Sequence, residues 1–243
     1  MVPDSLVQLT TRWVAAGRPP QTSIPWNPDS WKAWLPEFSA LIDSLPMPIS
    51  RKDVEKWTRQ ANAGEHDAVQ AFVVSMVWGY GTTGYGPWRT QRVLTKNPEV
   101  FPRLVRAADI ERRSGDLAAY SYMALEGRLK FLGPAFGTKF LHFVSERAPS
   151  KQPLILDAVV SRALMELAGL SVASTAWSDQ TYLSYLKVVR AWSDDLKVDP
   201  PDLERILFAS QQPAERAEPW VYKGVPLKTS PETRGPTENN GEQ

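Results

Sequence analysis

The stretch GPAFGTKFLHF, residues 133–143, places a lysine, Lys139, among apolar residues just after a turn bracketed by glycines. The turn predicts a short helix–turn–helix hairpin whose second helix begins near Thr138. The positive end of that helix dipole disfavours a cation, which favours the neutral, nucleophilic form of a lysine amine. The alternative is a side chain that passes Phe136 and Phe140 to reach water, and the spacing alone leaves both interpretations open.

An aspartate, Asp157, follows Lys139 by 18 residues and precedes an apolar helical pattern, where it is a natural N-cap. The helix that carries Lys139, at about ten residues, is roughly 15 Å long. The loop 149–156 is long enough to return over that distance, so we expect Asp157 to lie beside Lys139. There a carboxylate could orient or deprotonate the amine and stabilise a nearby cationic centre, whereas a capping role without chemistry is the alternative.

Composition excludes several other kinds of site. The chain of 243 residues has no cysteine, which removes disulfides, thiolate nucleophiles and cysteine metal centres. With only two histidines, His66 and His142, we expect no metal site. No apolar run approaches the roughly 18 residues of a membrane span, and the N-terminus lacks the pattern of a signal peptide. These features predict a soluble, cytoplasmic protein that has no contact with a membrane.

Apolar residues recur at helical spacing and strand patterns are weak, so we predict an all-α fold. After about Pro213 the composition becomes polar and rich in proline, which predicts one domain over residues 1–218 and a disordered tail over 219–243. The hairpin falls near residues 126–148. Helices are predicted at 4–16, 29–44, 51–62, 66–78, 89–96, 98–113, 116–130, 138–146, 157–168, 179–196 and 201–211.

The segment GYGTTGYGPWRT, residues 79–90, predicts a loop with an unusual surface. Tyr80, Tyr85 or Trp88 could stack on the bases of a nucleic acid, although aromatic residues that stabilise the turn are an equal alternative. The loop leads into a basic segment, residues 86–139, which contains twice as many basic as acidic residues and includes Arg89 and Arg92. Ten basic residues (89, 92, 96, 103, 106, 112, 113, 128, 130 and 139) stand against five acidic ones (99, 109, 111, 116 and 126). Although the formal net charge is only +1, the local excess indicates a surface for nucleic acid, with Arg112 and Arg113 more typical of a solvated helix face.

GPAFGTKFLHF, followed by ILDAVV with its aspartate, resembles the helix-hairpin-helix DNA glycosylase superfamily and, within it, the 8-oxoguanine DNA glycosylase branch. The resemblance implies a compact helical bundle in two lobes, with Lys139 as the amine nucleophile and Asp157 as its acidic partner. It also implies that the backbone around Gly133, Gly137 and Thr138 binds a DNA phosphate. No cofactor is implied, other than a monovalent cation that could bridge the hairpin carbonyls and that phosphate.

A second resemblance lies near the end of the predicted domain, where ERILFA, residues 204–209, is similar to a helix of the same branch that lines the base pocket. It implies that Glu204 and Phe208 bind the flipped base. An ionised carboxylate only accepts hydrogen bonds, so Glu204 favours a base edge rich in donors, and both guanine and cytosine satisfy this condition.

The resemblance predicts a monomeric DNA glycosylase, possessing AP lyase activity in its bifunctional form, that acts on duplex DNA containing a modified base. We expect a modified cytosine of phage DNA, such as glucosylated 5-hydroxymethylcytosine, ahead of 8-oxoguanine, in a role in antiviral defence. Trp26, Trp31 and Trp34 could stack on the sugar of such a base or pack in the core. A DNA-binding module without catalysis and a helical protein-interaction domain are the alternatives.

Overall fold

Helices make up nearly all of the regular structure in the computed structural model, which describes residues 1–60 and 65–222. The predicted all-α fold is confirmed for these residues, whose only bridge between extended segments is the isolated pair Ile24 and Ile49. The described α-helices are α1 (Asp4–Ala15), α2 (Pro28–Trp34), α3 (Ser39–Ser44), α4 (Arg51–Gln60), α5 (Glu65–Tyr80), α6 (Gly86–Thr95), α7 (Val100–Ser114), α8 (Asp116–Ala124), α9 (Pro134–Val144), α10 (Ala158–Ala168), α11 (Asp179–Leu196), α12 (Pro200–Ser210) and α13 (Pro219–Tyr222).

Proline divides one predicted helix. The predicted helix 29–44 is two α-helices, α2 and α3, joined by the short 3-10 helix Pro36–Phe38. Leu35, which precedes the proline, has φ −131° and ψ 60°, outside the helical region. Because a proline disfavours the helical conformation of the residue before it, the sequence signal for this break is Pro36 itself.

The hairpin helices begin and end earlier than predicted. The first helix, α8, ends at Ala124 instead of residue 130, and the second, α9, begins at Pro134 instead of Thr138. Pro134 occupies the first turn of α9, where its missing N–H costs no hydrogen bond. Lys139 therefore lies in the second turn of α9, away from the exposed amides. The predicted effect of the helix dipole required Lys139 in the first turn, and this placement is wrong.

The helices pack in two groups, which correspond to the two predicted lobes. Helices α4, α6, α7, α8 and α9 pack around or beside α5, and α1, α10, α11 and α13 pack around α12 and one another.

Of the segment predicted as tail, residues 219–222 form α13, whose Trp220 and Val221 are buried, and residues 223–243 lie outside the described residues. No helix in the described part of the chain is both long and apolar enough to cross a membrane.

Candidate active site

Lys139 and Asp157 form a buried ion pair at the junction of the two groups of helices. The Nζ atom of Lys139 donates to Oδ2 of Asp157 at 2.9 Å and lies 3.4 Å from the carbonyl oxygen of Ala135. Only 7% of the Lys139 side chain and 14% of the Asp157 side chain are exposed. The predicted proximity of the two residues is therefore present, and the interpretation in which Lys139 extends into water is wrong.

The chain that leads into α10 fixes the position of Asp157. Its Oδ1 atom accepts hydrogen bonds from the backbone amides of Val159 and Val160, both at 3.0 Å, which is the predicted N-cap. The extended segment before it is held by hydroxyl groups from α9 and α11. These bonds run from Leu156 N to Thr138 Oγ1 (3.0 Å), from Tyr182 Oη to Leu154 O (3.0 Å) and from Tyr185 Oη to Ile155 O (2.8 Å).

The Asp157 carboxylate is arranged to stay ionised. Burial alone raises its pKa, but the neighbouring Lys139 charge and the hydrogen bonds from Val160, Lys139 and Val159 outweigh burial and lower the pKa below its ordinary value. A carboxylate with a lowered pKa is a weak proton acceptor. Asp157 is thus better suited to orient the amine and to stabilise a positive charge than to remove a proton.

The aliphatic part of Lys139 is enclosed by α5. A Cβ atom at Gly79 would lie 2.9 Å from Cδ of Lys139 and 3.0 Å from the Phe136 ring, so a larger residue here would displace one of these side chains. The ring of Phe136, whose centroid is 5.3 Å from Nζ, covers another side and stacks on Tyr80 at 3.9 Å. The role of Gly79 was not predicted from the sequence, in which its only signal is a glycine among the large residues at the end of α5.

A second buried ionic cluster lies beside this pair and contains Glu204. The Nη2 atom of Arg51 donates to Oε2 of Glu204 at 2.7 Å and also lies 3.1 Å from Nε2 of His142. His142 must be neutral and protonated on Nδ1, because Nδ1 faces the carbonyl oxygen of Pro153 at 2.7 Å while Arg51 can only donate to Nε2. Burial and the Arg51 charge lower the pKa of His142 well below its ordinary value.

This cluster corrects the predicted environment of Glu204. Burial raises the pKa of Glu204, an effect that the Arg51 charge and hydrogen bond oppose. Arg51 thus partly neutralises the negative charge of Glu204 and occupies one of its two acceptor atoms, Oε2. Among the described residues, the hydrogen bonds of Glu204 are made through Oε2 alone. Arg51 and His142 were not identified from the sequence, since they lie 91 residues apart and only the tertiary fold joins them.

Phe208, the other predicted pocket residue, lines a cavity of about 560 Å³ between α1, α12, α13 and the segment 19–25. Trp13, Arg205 and Trp220 also contribute to its wall, whereas Glu204, Lys139 and Asp157 do not. The cavity nevertheless reaches Thr82, three residues beyond Gly79. Three residues span at most about 11 Å, which limits the distance from this rim to Gly79, the glycine beside Lys139.

Two of the three hairpin residues predicted to bind phosphate are buried. Thr138 is inaccessible and holds Leu156, and Gly137 is packed so closely against Trp177 that a Cβ atom would overlap the indole ring. Gly133, the N-cap of α9, faces open space on its Cβ side. Gly133 therefore offers the accessible backbone of this turn, and Gly137 and Thr138 act inside the fold.

Side-chain donors bond to carbonyl oxygens of the turn, where a monovalent cation is predicted. One of these donors is the positively charged guanidinium of Arg89, which would repel a cation. The bonds run from Asn97 Nδ2 to Lys130 O (3.2 Å), from Arg89 Nε to Phe131 O (3.1 Å) and from Trp177 Nε1 to Leu132 O (3.3 Å). Among the described residues, no group of three or more histidine, aspartate or glutamate side chains could hold a metal ion.

The predicted loop 79–90 is shorter than expected, since α5 extends through Tyr80 and α6 begins at Gly86. Tyr80 is buried against Phe136 and is unavailable to DNA, which corrects its predicted role. Tyr85 is 55% exposed, and Trp88 is 37% exposed beside Arg89 and Arg92. These four side chains lie at a surface, as a contact with DNA requires.

The tryptophans that could stack on a sugar are in part core residues. Trp26 and Trp31 are buried, and the indole N–H of Trp26 donates to the carbonyl oxygen of Pro46 at 2.9 Å. Trp34 keeps 43% of its surface exposed. The core interpretation therefore holds for Trp26 and Trp31.

Comparison with known proteins identifies the family of the chain. The family model described as "Putative 8-oxoguanine DNA glycosylase OGG-like protein" matches residues 17–208, a range that contains Lys139, Asp157, Glu204 and Phe208. No curated protein and no solved structure matches the chain. Because the family model covers most of its length, the chain belongs to this OGG-like family of DNA glycosylases.

Proposed function

We propose that the protein is a DNA glycosylase that flips a modified nucleotide out of duplex DNA and cleaves its N-glycosidic bond. The observation that carries this proposal is the contact of 2.9 Å between Lys139 Nζ and Asp157 Oδ2, buried at the junction of two helical lobes in a member of the OGG-like family. A buried amine beside a fixed carboxylate is the arrangement that nucleophilic attack on a sugar carbon requires.

In the proposed reaction, the Lys139 ammonium gives a proton to water, and its amine then attacks C1′ of the flipped nucleotide. The bond between C1′ and the base breaks, and the base leaves with the electron pair and takes up a proton. Opening of the sugar ring gives a protonated Schiff base, from which β-elimination cleaves the strand as an AP lyase does. Asp157 stabilises the positive charge that develops on the sugar and on the amine.

Borohydride trapping tests this assignment. Reduction of the Schiff base should link the wild-type protein covalently to cleaved DNA, and Lys139→Gln should abolish the adduct. Lys130→Gln is the matched control, because Lys130 lies at the surface near the same hairpin. An adduct of undiminished yield in Lys139→Gln would remove Lys139 from the nucleophilic role. Base release without any adduct in the wild type would show a glycosylase that lacks lyase activity.

For the substrate, we propose a modified cytosine with a bulky polar substituent, such as glucosylated 5-hydroxymethylcytosine of phage DNA, which implies a role in antiviral defence. The cavity beside Phe208, at about 560 Å³, supports this proposal, since it is within the range of about 300–1,000 Å³ that holds small molecules. Its wall includes Trp13 and Trp220, which are largely buried and make this side apolar, and Arg205, which can donate hydrogen bonds.

The alternative substrate is 8-oxoguanine, which the description of the family favours. Incubation with duplexes that contain each base, followed by mass spectrometry of the released bases, separates the two. Release of 8-oxoguanine from a defined duplex, with none from glucosylated phage DNA, would reverse the proposed order. We also propose that the protein acts as a monomer in the cytoplasm and needs no cofactor. Light scattering of the protein bound to DNA measures its oligomeric state and tests the first of these points.

A further inference from the structure

A C-terminal strap, residues 213–222, forms one side of the cavity beside Phe208. The strap contains the 3-10 helix Ala214–Arg216 and the helix α13. The other lining residues come mainly from α12 and from the segment 19–25. The strap residues that line the cavity are Glu215, Arg216, Ala217, Glu218 and Trp220.

The strap lies beyond the range that the family model matches, which ends at residue 208. The segment 19–25, which also lines the cavity, is inside that range. Membership of the family therefore does not account for the side of the cavity that the strap forms.

The strap is fixed to the body of the protein at both ends. The Oη atom of Tyr222 donates to the carbonyl oxygen of Gln212 at 2.9 Å, which closes the strap at its base. Trp220 and Val221 are buried, and their helix packs against α1. Residues 213–216 between these ends are exposed. The strap is therefore a loop that is anchored at its ends and exposed along its middle.

One side chain links the strap to the segment 19–25. The Oε1 atom of Glu218 accepts hydrogen bonds from the backbone N–H of Thr22 at 2.9 Å and from its hydroxyl group at 2.6 Å. Both bonds lie at the exposed surface, where water can replace either partner, so their net contribution to stability is small. A contact of this kind can break and re-form while the buried core stays intact.

We propose that the strap controls access to the cavity and that the contact between Glu218 and Thr22 is the latch that holds it closed. When the latch is formed, two sides of the cavity are joined. When it breaks, the exposed middle of the strap is free to move away and widen the entrance for a base with a bulky substituent. The inference rests on the proposed function only for the identity of the group that enters, because access to the cavity can be measured without catalysis.

A single thiol inside the cavity measures this access, since the natural chain has no cysteine. Ala209 lines the cavity and is 6% exposed, so Ala209→Cys places the thiol there. A bulky maleimide fluorophore should label it slowly. Adding Glu218→Ala removes the acceptor of both latch bonds and should raise the labelling rate by about tenfold or more, as loss of a hydrogen bond to a charged group predicts.

Glu215→Ala is the matched control, because it removes another carboxylate of the strap and leaves the latch in place. It should not change the labelling rate of Ala209→Cys. Equal rates with and without Glu218→Ala would overturn the proposal. Global unfolding also exposes the thiol, so urea unfolding is measured for each variant. An increase no larger than the loss of global stability predicts would overturn the proposal too.

Locking the latch tests the proposal in the opposite direction. In the double variant Thr22→Cys with Glu218→Cys, a methanethiosulfonate cross-linker joins the two thiols and dithiothreitol releases them. The locked protein should release a bulky modified base at least about tenfold more slowly than the same protein after reduction, which is its own control. Equal rates before and after reduction would overturn the proposal.

The proposed function can fail independently of these tests. If the wild-type protein releases no base from any duplex in the panel, the glycosylase assignment fails, and the labelling rates of Ala209→Cys still decide whether the strap controls the cavity. If bases are released but labelling does not respond to Glu218→Ala, the glycosylase assignment stands and the strap is a fixed wall.

Discussion

At the scale of single residues, Asp157 combines two tasks in one carboxylate. Oδ1 caps α10 through Val159 and Val160, and Oδ2 pairs with Lys139. Because asparagine keeps a capping oxygen but carries no charge, Asp157→Asn should reduce base release by about 100- to 1,000-fold, as expected for a lost electrostatic contact. Asp157→Ala loses the cap too, and we expect it to be less stable than the asparagine variant by about 0.5–2 kcal/mol.

Single-turnover base release and thermal unfolding of the two variants check this separation of roles. If Asp157→Asn releases bases at the wild-type rate, the carboxylate is only a cap. If the two variants unfold alike, the cap contributes nothing to stability.

Thr138 positions Asp157 although it touches no substrate in the proposal. Its hydroxyl accepts from the amide of Leu156 at 3.0 Å and donates to the carbonyl of Pro134 at 2.8 Å. Thr138→Val should cost about 1–3 kcal/mol of unfolding free energy, because it leaves a buried amide without a partner. Thr138→Ser keeps the hydroxyl and should recover most of the lost base release. Denaturant unfolding and base release of both variants test this, and a serine variant as impaired as valine would point to packing instead.

The sequence predicted some of these residues and missed others for a physical reason. Lys139 and Asp157 were predictable because one helix and one loop connect them, so local geometry limits their separation. Arg51 and Glu204 are 153 residues apart, and no local rule brings two such helices together. The burial of Thr138 and Gly137 was missed for the same reason, since it depends on a loop and on Trp177 from a distant segment.

At the scale of elements, the hairpin depends on close packing between α9 and Trp177. The indole N–H of Trp177 donates to the carbonyl of Leu132 at 3.3 Å, and its ring lies against Gly137. We expect Gly137→Ala to destabilise the protein by about 1–3 kcal/mol, as overpacking does. Replacing the ring as well, in Gly137→Ala with Trp177→Leu, should cost less than the sum of the two single changes. Additive losses in a double-mutant cycle from denaturant unfolding would contradict the contact.

Most helices were predictable from apolar spacing, and the errors lie at their ends. Asn27 and Ser178 cap α2 and α11 as such residues commonly do. The predicted start of α9 was late because Pro134, a favoured first-turn residue, was assigned to the turn. Helix ends depend on few residues, and each of them competes with tertiary contacts.

At the scale of the whole molecule, buried ionic groups join the two groups of helices. Arg51 of α4 contacts both His142 of α9 and Glu204 of α12, and Lys139 of α9 contacts Asp157 at the start of α10. Breaking one partner of a buried pair is costly because it leaves the other charge uncompensated. Loss of either partner of the Lys139–Asp157 pair would therefore also weaken the packing of the two lobes.

Two buried groups make the stability of the whole molecule depend on pH in opposite directions. His142 has a lowered pKa, so the unfolded state binds more protons below about pH 6.5, and its contribution to stability is lost as the pH falls. Glu111 is the reverse case, because burial raises its pKa from 4.5 to about 7 despite Ser145 and Arg147. Its folded state holds a proton that the unfolded state releases, so its contribution is lost as the pH rises through this window.

Between pH 7 and pH 5 these contributions oppose each other, each by up to about 1.4 kcal/mol per pH unit. Glu111→Gln removes one of them, so the unfolding free energy of this variant relative to wild type should fall as the pH is lowered. His142→Gln removes the other, and its unfolding free energy relative to wild type should rise over the same change, whatever the absolute cost of each substitution. Urea unfolding at pH 5, 6 and 7 measures both differences, and shifts of the same sign in the two variants would contradict the assigned protonation states.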